Sequence, residues 1–138
     1  MRAFAYGRKQ GKDFLKILVV DDDALIRKIA ALSLTKSGGH QVTCVSDGAR
    51  AAESALAEIP DAILLDLRMP EVDGLEVLRR LKTETSTRQI PVVMLSAATE
   101  ASDVNEALAL GAAGWIAKPF DPRTLGEQLT KVLLGINR

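Results

Sequence analysis

The chain has 138 residues, of which 47% are hydrophobic and only 4% aromatic, and its eighteen basic and eighteen acidic side chains cancel. That length supports one domain whose core is filled by Leu, Ile, Val and Ala, without disulfides or a structural metal. A single cysteine (Cys44) excludes a disulfide framework and a cysteine-based zinc site, a single histidine (His40) excludes a multi-histidine metal site, and the zero net charge argues against a dedicated nucleic-acid or membrane binder.

No apolar run approaches the ~18 residues of a membrane-spanning helix, and the first residues lack an apolar signal core, so a cytoplasmic location is expected. The charge balance is uneven along the chain. Arg2, Arg8, Lys9, Lys12 and Lys16 against Asp13 give residues 1–16 a net charge of +4, which leaves −4 for the remainder. Residues 1–15 lack periodicity and read as a basic, flexible extension, either plain solvated chain or an arm that touches a partner. The domain proper is expected over 16–138.

From Lys16 onward, short apolar runs alternate with helical stretches. KILVV (16–20) reads as a buried strand. ALIRKIAALSLTKS (24–37) reads as a helix with Leu25, Ile29 and Leu32 at helical spacing, ended by Gly38-Gly39. HQVTCV (40–45) is the second strand, with His40 as an exposed turn residue and Cys44 as a buried small hydrophobe. DGARAAESALAEI (47–59) is an alanine-rich helix stopped by Pro60.

DAILLD (61–66) is the third strand, and DGLEVLRRLK (73–82) the third helix, with Asp73 as N-cap and Glu76 in the capping-box position. IPVVMLS (90–96) is the fourth strand, and TEASDVNEALAL (99–110) the fourth helix, closed by Gly111. GWIAK (114–118) is a short fifth strand. DPRTLGEQLTKVLLGI (121–136) is the last helix, with Asp121 as N-cap, Pro122 as first helical residue, and Leu125, Leu129, Val132 and Leu133 facing inward. Five strands alternating with five helices specify a parallel α/β sheet covered on both faces, with right-handed crossovers.

In open α/β sheets, ligands bind beyond the carboxyl ends of the strands. The first strand ends in Asp21-Asp22-Asp23, the third in Asp66, the fourth in Ser96 and the fifth in Lys118-Pro119; Ser46 and Asp47 after the second are less distinctive. Carboxylates held together stay ionised around a hard cation, and all-oxygen ligation suits Mg²⁺. One carboxylate can then attack phosphorus and form an acyl phosphate, with the Ser96 hydroxyl and the Lys118 ammonium as further partners for the phosphoryl oxygens.

The segments ILVVDDDALIRKI, AILLDLRMPEVDGLEVLRRLK, IPVVMLSA and GAAGWIAKPF closely resemble the receiver domain of bacterial two-component response regulators, of the single-domain chemotaxis-Y-like kind. The resemblance runs from about Lys16 to Leu134. It implies a doubly wound, flavodoxin-like sheet of strand order 2-1-3-4-5. It also implies roles for individual residues. Asp66 stands at the phospho-accepting position. Asp22 stands at the position that ligates Mg²⁺ (or Mn²⁺) directly, and Asp21 at that of the companion acid, which acts through metal-bound water. Arg68 stands where the third protein ligand is a backbone carbonyl. Ser96 and Lys118 match the hydroxyl and amine that hold the phosphoryl group. Trp115 matches the switch aromatic, and the Lys118–Pro119 peptide is expected to be cis. Asp23 is expected to start a helix rather than to ligate, and Ala98 and Arg68 to tune access of the hydrolytic water.

The resemblance further implies partners: a sensor histidine kinase or histidine phosphotransfer protein as donor, and a downstream effector that meets the surface of helix four, strand five and helix five. The domain is expected to act as a phospho-accepting switch rather than an enzyme, as a monomer or a weak phosphorylation-dependent dimer. GAAGW lacks the acidic pair common there in winged-helix transcription regulators, which points away from a dimer of their kind. Two other readings compete. One is an interaction module that signals without phosphate, but such modules lack an acid or the lysine, and here all are present. The other is a hydrolase or flavin protein on a similar fold. An aspartate-nucleophile phosphatase carries a second Asp where this chain has Arg68, and the acidic loop after the first strand would repel a flavin phosphate.

Overall fold

The computed structural model describes residues 14–97 and 101–135. Five parallel strands form one sheet: β1 (Lys16–Val20), β2 (Gln41–Val45), β3 (Ala62–Asp66), β4 (Val92–Ala97) and β5 (Gly114–Lys118), in the order β2-β1-β3-β4-β5. The helices are α1 (Ala24–Gly38), α2 (Ala51–Glu58), α3 (Gly74–Thr83), α4 (Ala101–Ala109) and α5 (Leu125–Leu133). The doubly wound order expected above is the order found.

Side chains alternate across each strand, so the sheet feeds two apolar layers. Ile17, Val19, Leu64, Val93, Leu95 and Ile116 pack against Ala30 and Leu34 of α1 and against Leu125, Leu129, Val132 and Leu133 of α5. Leu18, Val20, Ile63, Leu65, Val92 and Met94 pack against α2, α3 and α4. All five residues of β3 are buried, as a central parallel strand requires. β2, at the sheet edge, is largely open to solvent.

Capping follows the sequence at several points. Asp23 caps α1 by accepting from the amides of Leu25 and Ile26, and α1 ends at Gly39, whose φ of 65° suits glycine. Asp73 caps α3 by accepting from Glu76 N–H; the Glu76 carboxylate pairs with Arg79 and Arg80.

Other expectations need correction. On α1, Leu25 (63% exposed) and Leu32 (53%) face solvent, and the core positions are Ala30 and Leu34. The apolar residues of α1 wrap around the helix, and the sheet selects the narrower stripe. The segment Gly48–Arg50 is a 3₁₀ turn ahead of α2, with Asp47 accepting from Arg50 N–H. At the last helix, Asp121 closes a turn onto Arg123 N–H, and α5 begins only at Leu125. Cys44 is exposed, because it lies on the edge strand. His40 is half-buried, and its Nδ1 accepts from the amide of Leu15 at 2.9 Å. Leu15, drawn within the N-terminal extension, is itself buried and pairs with Gln41 through its carbonyl. Residues 1–13, Ala98, the first two residues of the expected fourth helix and the last of the expected fifth lie outside the described residues.

Candidate functional site

The carboxyl ends of β1, β3, β4 and β5 meet at one rim of the sheet. Parallel pairing sets Asp66 opposite Leu95, Ser96 opposite Ala117, and Ala97 opposite Lys118. The ends of the three inner strands therefore lie side by side with that of β5. Asp21 directly follows β1, and its amide continues the ladder to Val45. The site is thus a consequence of strand length and register.

Asp21 is fully buried and Asp66 nearly so, while Asp22 is exposed. One carboxylate oxygen from each can lie within 4.8 Å of the others, a spacing at which a metal ion could be held. Lys118 reaches between the two buried acids. Its Nζ is 2.9 Å from Asp21 Oδ2 and 3.0 Å from Asp66 Oδ1. Asp21 Oδ1 accepts from Asp23 N–H at 2.9 Å, and the Asp21 carbonyl accepts from the Arg27 guanidinium at 2.7 Å.

The electrostatics are strained. Burial pushes the Asp66 carboxyl up to about 6; the Lys118 hydrogen bond opposes this and the charge of Asp21 adds to it. Burial alone would lower Lys118, but its hydrogen bonds to Asp21 and Asp66 outweigh that and hold it above the ordinary amine value. Two buried carboxylates thus share one ammonium.

Ser96 is 1% exposed, and its Oγ is buried without a hydrogen-bond partner among the described residues. An unmatched buried hydroxyl costs about 1–3 kcal/mol, a cost that an oxygen acceptor arriving at this position would remove. The donor set around it is all oxygen plus one amine, which fits a hard divalent cation and an anionic oxygen ligand. Asp21, Asp22 and Asp66 form an acidic pocket able to hold such a cation.

Sequence reasoning gathered Asp21, Asp22, Asp66, Ser96 and Lys118, and the fold brings these five together. Arg68, expected to offer its backbone carbonyl, begins the loop leaving Asp66, and its amide donates to Asp66 Oδ1 at 3.4 Å. The Lys118–Pro119 peptide is cis. Trp115 lies three residues before Lys118 on β5 and is 41% exposed, on the sheet face opposite Ile116.

Gly74 was not singled out from the sequence. A Cβ there would fall on the carbonyl oxygen of Asp66 and lie 2.8 Å from Leu67 Cα. The start of α3 is packed directly onto the end of β3, and Gly74 N–H donates to Leu67 O at 2.9 Å. The signal was the glycine directly after the Asp73 cap.

The chain matches the response regulator receiver domain family over residues 17–130, and it belongs to that family. It is 37% identical over 123 residues to the probable transcriptional regulator ycf27 of Guillardia theta, which covers 89% of this chain and 47% of the relative. It is 38% identical over 117 residues to the phosphate regulon transcriptional regulatory protein PhoB of Pseudomonas aeruginosa, covering 85% of this chain and 51% of the relative. The chain therefore spans about half the length of the curated relatives it matches. Among solved structures, the chemotaxis protein CheY4 of Vibrio cholerae superposes with a TM-score of 0.80 at 33% identity, over 86% of this chain and 98% of that one. NtrX from Brucella abortus gives 0.80 at 29% identity, over 88% of this chain and 28% of that one. This is a signalling domain of the two-component class, and none of its described helices is long and apolar enough to cross a membrane.

Proposed function

We propose that the domain accepts a phosphoryl group on Asp66 from a histidine kinase or a histidine phosphotransfer protein and relays the change to an effector. The observation that carries this is the sharing of Lys118 by Asp21 and Asp66 at the strand ends, next to the end of β4, where Ser96 Oγ is buried with no partner among the described residues. A site of this kind is short of an anionic oxygen ligand and already holds the cation to receive it.

Asp21, Asp22, Asp66 and the Arg68 carbonyl are the groups that would hold Mg²⁺, with Mn²⁺ as a substitute. The ion supplies neutralisation of negative charge as the phosphoryl group arrives. An Asp66 carboxylate oxygen attacks phosphorus, the P–N bond of the phosphohistidine breaks, and its electron pair returns to the imidazole nitrogen. Ser96 donates a hydrogen bond to one new phosphoryl oxygen, and Lys118 pairs with another. Lys118 then shifts its charge away from Asp21. Burial around Asp66 excludes bulk water and slows hydrolysis, and assisted hydrolysis returns the domain to rest.

The pull on Ser96 and Lys118 reaches the ends of β4 and β5, where Trp115 stands at the edge of the sheet. Its repacking would alter the surface of α4, β5 and α5, where an effector or a second copy docks weakly. Cytoplasmic placement, a monomeric resting state and no direct nucleic-acid contact complete the reading.

The test is phosphorylation by acetyl phosphate with Mg²⁺ or with chelator, followed by peptide mapping. Metal-dependent modification confined to the peptide holding Asp66 is expected. Modification elsewhere, or equal modification in chelator, would overturn the assignment.

A further inference from the structure

Helix α4 is held to the sheet by little apolar surface: only Val104 and Ala107 are buried among its residues. Its acidic residues add ion pairs to neighbouring elements. Asp103 and Glu106, three apart, share one face of the helix. The Arg68 guanidinium pairs with Asp103 Oδ2, and Arg79 Nη2 of α3 lies 3.8 Å from Glu106. Asp103 is only 20% exposed in its side chain, so the pair is less open to solvent on that side than an ordinary surface ion pair.

Arg79 lies within α3, whereas Arg68 is on the loop that leaves β3, two residues from Asp66, with its own amide on the Asp66 carboxylate. A phosphoryl group on Asp66 replaces the single carboxylate charge with about two, a net gain of about one negative charge, and brings three strong acceptor oxygens to that point. A guanidinium is suited to bidentate pairing with either a carboxylate or a phosphate.

We infer that Arg68 is a positioning residue that couples the state of Asp66 to the seating of α4. In the resting domain it ties Asp103 to the acceptor loop. A phosphoryl group competes for the same guanidinium, Asp103 loses its partner, and α4 is left with the Arg79–Glu106 pair and two small apolar contacts. The direction of the effect is release of α4 on phosphorylation. This rests on reading Asp66 as the phosphoacceptor.

Hydrogen exchange of the α4 amides in the full chain tests it, with intact mass reporting phosphoryl uptake in the same samples. Arg68→Ala and Asp103→Asn should speed α4 exchange about two- to fivefold in the resting state, the range expected from losing one such pair. Exchange in α1 should not move. High salt should speed α4 in wild type and have less effect in the variants. The exchanged pair Arg68→Asp with Asp103→Arg should restore slow resting exchange. Phosphorylation should speed α4 in wild type and add nothing in Arg68→Ala.

Wild-type α4 exchange in Arg68→Ala, or unchanged α4 exchange in fully phosphorylated wild type, would overturn the coupling. In either case the mass shift leaves the phosphoacceptor reading standing. Absence of any mass shift in wild type would overturn that reading, and with it the release by phosphate.

Discussion

Replacing Asp66 with asparagine should stabilise the metal-free domain. Asp66 is 4% exposed, and its carboxyl is pushed from 3.8 to about 6 by burial, with the charge of Asp21 adding to it. The unfolded chain ionises this acid near pH 4, while the folded chain keeps the proton until about pH 6. Between those values the folded state binds more protons, so stability falls as pH rises. Above pH 6 the whole penalty is present, about 3 kcal/mol for a shift of roughly two units. Asparagine keeps the shape and an oxygen for Lys118 but carries no charge. Lys118 already offsets part of the repulsion, so a gain of about 1–3 kcal/mol near neutral pH is expected, or roughly 3–5 °C of Tm for each kcal/mol at this chain length. The assay is denaturant and thermal unfolding of wild type and Asp66→Asn in chelator, at neutral pH and below pH 4. The gain should disappear at the acid end, where wild type is protonated in both states. Added Mg²⁺ should raise the stability of wild type more than that of the variant. An equal or lower Tm for Asp66→Asn at neutral pH, or a gain that persists below pH 4, would refute the electrostatic reasoning.

Three further outcomes are expected. Gly74→Ala should destabilise by about 1–3 kcal/mol or more, because the new methyl meets backbone at Asp66 and Leu67, and it should weaken Mg²⁺ binding in a titration that follows Trp115 fluorescence. His40 is held below its ordinary value by burial, and its neutral Nδ1 accepts from Leu15; its contribution is complete above about pH 6.5 and is lost as pH falls through the lower folded value. The stability difference between wild type and His40→Ala, from unfolding curves at a series of pH values, should therefore shrink on acidification. Leu64→Ala, in the middle of the fully buried β3, should cost about 2–5 kcal/mol in denaturant unfolding.

Much of the fold was legible because each strand is a short apolar run bounded by polar or turn residues. β5 has the same ends in the sequence pattern and in the structure, Gly114 and Lys118. The gathering of Asp21, Asp22, Asp66, Ser96 and Lys118 was legible for a related reason: in a parallel sheet, residues that end strands become neighbours. What escaped depends on the third dimension. Leu25 and Leu32 have the spacing of a core stripe, yet only packing decides which side of α1 meets the sheet. Cys44 looks buried by composition, but its strand is at an edge, and edge status is a property of strand order. The Arg68–Asp103 pair joins residues 35 apart through the seating of α4, and no local pattern announces it.

The central claim is that Asp66 takes the phosphoryl group, and the most direct measurement is the intact mass of wild type and Asp66→Asn after incubation with acetyl phosphate and Mg²⁺. One added phosphoryl group on wild type and none on the variant is the predicted result. Equal addition to both proteins, or none to a folded wild type that binds Mg²⁺, would contradict it.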